Sequence, residues 1–134
     1  MNNFIFENST KVFFGKGCVK EYLSCWAGKF GERVLLAYGG CSIKKNGIYE
    51  EVTSILEKAG KTVIEFSGIM ANPTYEKVLE GAKIARENEV DWILGIGGGS
   101  VMDCCKAVSL AAISKKDIWK EYWAKPGIID FEPL

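Results

Sequence analysis

Chemistry in this chain concentrates at Gly97-Gly98-Gly99-Ser100, followed at fixed offsets by Asp103 and Lys106. The glycines stand where an apolar run, Trp92 to Ile96, hands over to a helical pattern. Backbone without Cβ atoms can approach an anion closely and adopt conformations that side chains oppose. The first amides of a helix have no partner inside it, and the helix dipole favours negative charge there. Ser100 adds a hydroxyl donor. The combination is a phosphate cradle. A tight turn that uses glycine only to relieve strain is the simpler alternative, and the run of glycines with serine weighs against it. Asp103 has a bland reading as a first-turn acid suited to the dipole, and Lys106 as a solvated lysine.

Two familiar glycine loops do not fit. A P-loop needs GxxxxGK[ST], which the chain lacks. A Rossmann GxGxxG follows the first strand, with an acid about twenty residues later. Here the glycines follow a late strand, and no acid stands in that context downstream. A second glycine pair, Gly39-Gly40, ends the run Val34 to Tyr38 and precedes Cys41, Ser42, Lys44 and Lys45. At the end of the second nucleotide strand an acid would bind an NAD ribose and repel a 2′-phosphate. No acid stands there, and Lys44 and Lys45 can supply charge to a phosphate, unless both are merely solvated.

Other reactive-looking residues have plainer readings. The cysteines at 18, 25, 41, 104 and 105 form an odd, irregular set without a CxxC pair, which suits reduced thiols in the cytosol. Cys104 and Cys105 stand at a helix start, where thiols can acidify. The chain has no histidine to partner them, so packing is the better reading. Trp119 and Trp123, at i,i+4 spacing, read as core or as an interface covering rather than a stacking platform.

These residues need a frame. Phe4 and Phe6, then Val12 and Phe14, alternate around a polar turn and predict a strand pair. Val19, Tyr22, Leu23 and Trp26 follow helical spacing up to Gly28. A strand over 34–38 leads to a helix bearing Ile48, Val52, Ile55, Leu56 and Ala59. A strand over 62–66 follows, then a helix opened by Asn72 as N-cap and Pro73 as first residue, with Val78, Ala82 and Ala85 inward. After the strand 92–96, the helix presents Val101, Cys104, Cys105, Val108, Ala111 and Ala112 to the core. Residues 118–123 predict one or two helical turns, Lys125-Pro126-Gly127 a turn, and Ile128-Ile129 a strand start. Strands alternating with helices imply an α/β domain with a doubly wound parallel sheet, Rossmann-like, preceded by the strand pair.

A length of 134 residues suits one domain. Seventeen basic residues balance seventeen acidic ones, so no global field favours nucleic acid or an anionic membrane. The N-terminus has no signal-peptide pattern, and no run reaches the roughly 18 apolar residues of a span. A cytoplasmic, soluble protein is expected.

Read together, GGGSxxDxxK at Gly97 to Lys106 resembles the iron-containing (group III) alcohol dehydrogenases, relatives of glycerol dehydrogenase and dehydroquinate synthase. The likeness covers the whole chain: Phe14-Gly15-Lys16-Gly17, Tyr38-Gly39-Gly40 through Lys44-Lys45-Asn46-Gly47, and Asn72-Pro73 also match. The NADPH-dependent butanol dehydrogenase and aldehyde reductase branch is the nearest in pattern. The resemblance implies a dehydroquinate synthase-like domain in which Gly97, Gly98, Gly99 and Ser100 hold the cofactor pyrophosphate. It implies Asp103 near the nicotinamide ribose, and Gly39, Gly40 and Ser42 as further cofactor contacts, with NADP(H) preferred.

It also implies a second, helical domain holding a divalent metal, Fe or Zn, through an aspartate and histidines. The absence of histidine leaves no metal ligand or catalytic residue to assign here. Residues 1–134 are therefore expected to be the N-terminal dinucleotide-binding domain, without the C-terminal metal-binding domain. The expected function is the cofactor-binding half of an NADP(H)-dependent alcohol dehydrogenase, inactive alone. The full-length enzyme would act on a small alcohol or aldehyde. Apolar surface around Trp119 to Leu134 is expected to be exposed and to favour a homo-oligomer. The alternative is a free-standing nucleotide-binding or interaction module without catalysis.

Overall fold

A computed structural model describes residues 10–124 and 132–134. Its centre is β1 (Arg33–Tyr38), buried at every position from Val34 onward. Continuous apolar character is what a strand covered on both faces requires. β2 (Thr62–Phe66) and β3 (Trp92–Ile96) flank it, both parallel, in the order β2-β1-β3. The register sets Leu36 beside Glu65 and Leu94, and Tyr38 beside Ile96.

Alternate residues of β1 feed two cores. Leu35 and Ala37 pack with Phe66, with Val78, Ala82 and Ala85 of α4 (Tyr75–Glu87), and with Val101, Cys104 and Val108 of α5 (Gly99–Ile113). Val34, Leu36 and Tyr38 pack on the other face with Ala27 of α1 (Cys18–Ala27), Ile43 of α2 (Ser42–Lys45), and Val52 and Leu56 of α3 (Ile48–Lys58). Helices thus cover both faces of a parallel sheet, the doubly wound arrangement the alternating pattern predicts. Gly81 lets α4 close on its neighbours, since a Cβ there would lie 2.8 Å from both the Phe66 ring and Val108.

Two details depart from the sequence expectations. The helix expected from Asn72-Pro73 starts later. Thr74 is extended (φ −81°, ψ 163°) and its hydroxyl accepts the Lys77 N–H, so Thr74 is the N-cap of α4. Asn72 instead takes a left-handed turn at φ 52°, leaving Pro73 in the approach. No strand forms over Val12 to Phe14: Val12 and Phe14 are exposed, and Phe13 stacks on Tyr22 at 4.5 Å. Phe13 packs as an aromatic side chain on α1. Phe4 and Phe6, the expected partner strand, lie outside the described residues, as do Lys125 to Ile129.

The turns expected at 118–123 form one π-helical turn, Trp119–Trp123. Asp117 caps it, accepting N–H bonds from Trp119 at 3.0 Å and Lys120 at 3.3 Å and a hydroxyl bond from Tyr75 at 3.0 Å. Among the described residues, no helix is long and apolar enough to cross a membrane.

Candidate cofactor site

In this sheet the chain leaves β1 toward one face, through α2 and α3, and leaves β3 toward the other, through α5. Neighbouring strands whose connections diverge open a crevice at their carboxyl ends, the usual ligand position in open α/β sheets. Gly39-Gly40 follows β1 and Gly97-Gly98 follows β3, and the last residues of those strands, Tyr38 and Ile96, are register partners. The two glycine runs therefore meet at one crevice. β1 is first in the chain but second in space beside the glycine-loop strand, the place where a ribose-reading acid would stand.

The glycines divide by role. A Cβ on Gly97 would lie 2.5 Å from Val101 Cγ2 and 2.9 Å from Val101 Cβ, so this glycine serves the close packing of loop on helix. A Cβ on Gly98, Gly99 or Gly40 would meet nothing within 4 Å, so these positions border open space. Gly98 is the N-cap of α5, extended at φ −87° and ψ −164°, with no side-chain cap. Its carbonyl accepts the Val101 and Met102 N–H groups, each at 3.1 Å, and the amides before them belong to the first turn, where a helix offers no acceptor of its own. Those amides, the α5 dipole and the space a Cβ would fill suit a pyrophosphate. Ser100 is half-buried in the first turn.

Gly39 is held from above. The Gly68 N–H donates to its carbonyl at 3.0 Å, the Ile69 N–H donates to Tyr38 at 3.2 Å, and a Cβ on Gly39 would sit 3.1 Å from the Ile69 carbonyl. Ser42, exposed, opens α2 just beyond Gly40.

Lys44, on α2, places its ammonium 4.5 Å from the Tyr49 ring centre and 5.6 Å from that of Tyr38. Both phenols donate to Glu65: Tyr38 at 2.7 Å to Oε2, and Tyr49 to Oε1. These bonds, Tyr49 first, hold the Glu65 carboxyl below its ordinary range. The Tyr49 phenol is pushed up to about 12, chiefly by its bond to Glu65. Burial first, then the Glu65 bond, raises Tyr38. The bond with Tyr38 raises the Lys44 ammonium, with a longer-range contribution from Glu65. Neither Tyr49 nor Glu65 stands out in the sequence; the register of β1 with β2 and the placement of α3 bring them together with Tyr38.

Asp103 and Lys106 lie further along α5, both exposed, in an i,i+3 ion pair at 3.6 Å. They line a cleft of about 460 Å³ with Thr74, Val78, Ile118 and Trp119, a cleft that does not include Gly39, Gly40 or Gly98 to Ser100. The strand register therefore sets Gly39-Gly40 and Gly97-Gly98 at neighbouring strand ends, with Ser42 following on α2, while Asp103 lines the separate cleft. Burial pushes the Cys104 thiol up and the Cys105 thiol up to about 11, so neither is an activated nucleophile. Among the described residues, no group of three or more histidine, cysteine, aspartate or glutamate side chains could hold a metal ion. The metal implied by the resemblance does not fit the donors present here, and no metal chemistry is assigned to these residues.

The iron-containing alcohol dehydrogenase family model matches residues 9–131. The probable NADH-dependent butanol dehydrogenase 2 of Bacillus subtilis is 44% identical over 134 residues, covering 100% of this chain and 34% of that protein. The NADPH-dependent aldehyde reductase of Escherichia coli is 41% identical over 115 residues, 84% of this chain and 28% of that protein. The crystal structure of NADH-dependent butanol dehydrogenase A from Thermotoga maritima superposes with a TM-score of 0.81 at 41% identity, covering 91% of this chain and 31% of that one. The chain thus spans about a third of the length of the relatives it matches. By fold, motif and sequence, it belongs to the iron-containing alcohol dehydrogenase family.

Proposed function

We propose that this chain is the nicotinamide dinucleotide-binding part of an alcohol dehydrogenase that interconverts a small alcohol and aldehyde. The observation that carries this reading is the crevice between β1 and β3, where two glycine runs leave open space beside the first amides of α5. Gly98, Gly99 and Ser100 would bind the pyrophosphate, with Gly97 shaping the loop. Gly39, Gly40 and Ser42 would face the adenosine end, and Asp103 the nicotinamide ribose.

NADP(H) is the dinucleotide assigned. No acid between Gly39 and Ser42 would repel a 2′-phosphate, and Lys44 and Lys45 follow on α2, the helix entered from Gly39-Gly40. The relatives' names include both NADH- and NADPH-dependent enzymes, so the choice belongs to local residues. Gly40→Asp tests it, because a Cβ at Gly40 enters open space and the carboxylate would face the ribose. The ratio of NADPH to NADH affinity should fall; an unchanged ratio would remove the assignment.

Hydride transfer in this family's alcohol chemistry needs the substrate oxygen polarised as well as a cofactor held. These residues supply the second requirement. With butanal and NADPH, the 134-residue chain should show no turnover even with added Fe²⁺ or Zn²⁺, while still binding the dinucleotide. Steady-state activity would overturn the division of labour. Half-exposed Trp119 and Trp123, with exposed Val12 and Phe14, favour self-association, and the chain is proposed to be a homo-oligomer.

A further inference from the structure

Lys44 does not stand alone at the crevice. Its ammonium lies over two phenol rings whose hydroxyls both donate to one carboxylate, that of Glu65. Four elements converge to make this cluster: β1 supplies Tyr38, α2 Lys44, α3 Tyr49 and β2 Glu65. Tyr38 immediately precedes Gly39, so the cluster starts at the end of β1 that carries the glycine pair, the end read above as facing adenosine. A ring face attracts a cation through its quadrupole, and a phenol that donates to a carboxylate is richer in electrons. Glu65 thus fixes the rings on which Lys44 rests and also offsets its charge.

We propose that Glu65 is a specificity-determining residue, a positioning group that holds Lys44 through Tyr38 and Tyr49 and weakens the crevice's preference for a 2′-phosphate. The inference rests on the reading of this crevice as a nicotinamide dinucleotide site. A 2′-phosphate entering beside Gly40 would draw Lys44 from the rings it rests on and would feel the Glu65 charge behind them. A plain 2′-hydroxyl meets no such opposition, so the chain discriminates less than two adjacent lysines would suggest. A purely structural role, tying α3 to β2, would alter stability or the binding of both dinucleotides together.

The test compares dissociation constants for NADPH and NADH in the wild-type chain, Glu65→Gln, Lys44→Gln and the double variant. Both residues are exposed, so each single variant should fold, with circular dichroism as the check. Glu65→Gln should raise the preference for NADPH over NADH roughly threefold, the scale of an exposed charge interaction. Lys44→Gln should lower it, and in the Lys44→Gln background the effect of Glu65→Gln should vanish. An unmoved ratio in Glu65→Gln, with both dinucleotides still bound, would overturn this inference and leave the site intact. The same gain with and without Lys44 would overturn it too. A wild-type chain that binds neither dinucleotide would overturn the site and the inference together.

Discussion

Gly97 and Gly98 are adjacent in the loop yet answer to different constraints. An added methyl at Gly97 would enter Val101, a buried side chain, at 2.5 Å, and overpacking of this kind costs about 1–3 kcal/mol. At Gly98 or Gly99 the same methyl meets nothing within 4 Å and occupies the space assigned to phosphate. Gly97→Ala should therefore lower the thermal midpoint, while Gly98→Ala should leave it unchanged and lose dinucleotide affinity. Melting curves beside binding titrations separate the two, and equal destabilisation would contradict the assignment. The glycine run was legible in the sequence, but the division within it was not, because Val101 decides it from the following helix turn.

Glu65 gives the same lesson for charge. Its partners, Tyr38 and Tyr49, are 27 and 16 residues away, and only strand register and the placement of α3 join them. The cluster also has a pH signature. Tyr49 is held protonated in the fold, up to about 12, so its contribution to stability is present below the ordinary phenol range and lost as pH rises through about 12. Alkaline titration of phenolate absorbance should show a late-ionising tyrosine that Tyr49→Phe removes. Glu65, whose carboxyl is lowered, has the opposite sense. Its contribution is present above the ordinary carboxylate range and is lost as pH falls through the lowered value.

At the scale of elements, apolar periodicity placed the strands and helices well, while their edges depended on local chemistry. Asn72-Pro73 has the composition of a helix start, yet Thr74 is the cap, since its hydroxyl reaches the Lys77 amide and Asn72 turns left-handed. Thr74→Ala should cost about 1 kcal/mol, read as a lower denaturation midpoint, whereas Asn72→Ala removes no cap bond. Val12 to Phe14, expected as a strand, take no strand conformation, and Phe13 stacks on Tyr22 of α1. Packing of α4 on α5 turns on Gly81, an apparently unfavourable residue in a helix interior. Gly81→Ala would gain about 1 kcal/mol of helix propensity. It would meet Phe66 and Val108, both fully buried, at 2.8 Å. Overpacking of about 1–3 kcal/mol should outweigh that gain, so the variant should melt lower.

For the whole molecule, the sheet order β2-β1-β3 does most to define function, because it sets two glycine runs far apart in sequence beside each other at diverging connections. Alternating strands and helices announced a doubly wound sheet. The meeting of Gly39-Gly40 with Gly97 to Ser100 required the strand order itself. The most direct test of the central claim is calorimetric titration of NADPH into the wild-type chain and into Gly98→Ala at matched, verified fold. Saturable binding to the wild type, lost in Gly98→Ala, is the expected result. No binding to a folded wild-type chain, or equal binding to both, would contradict the assignment of this crevice to the cofactor.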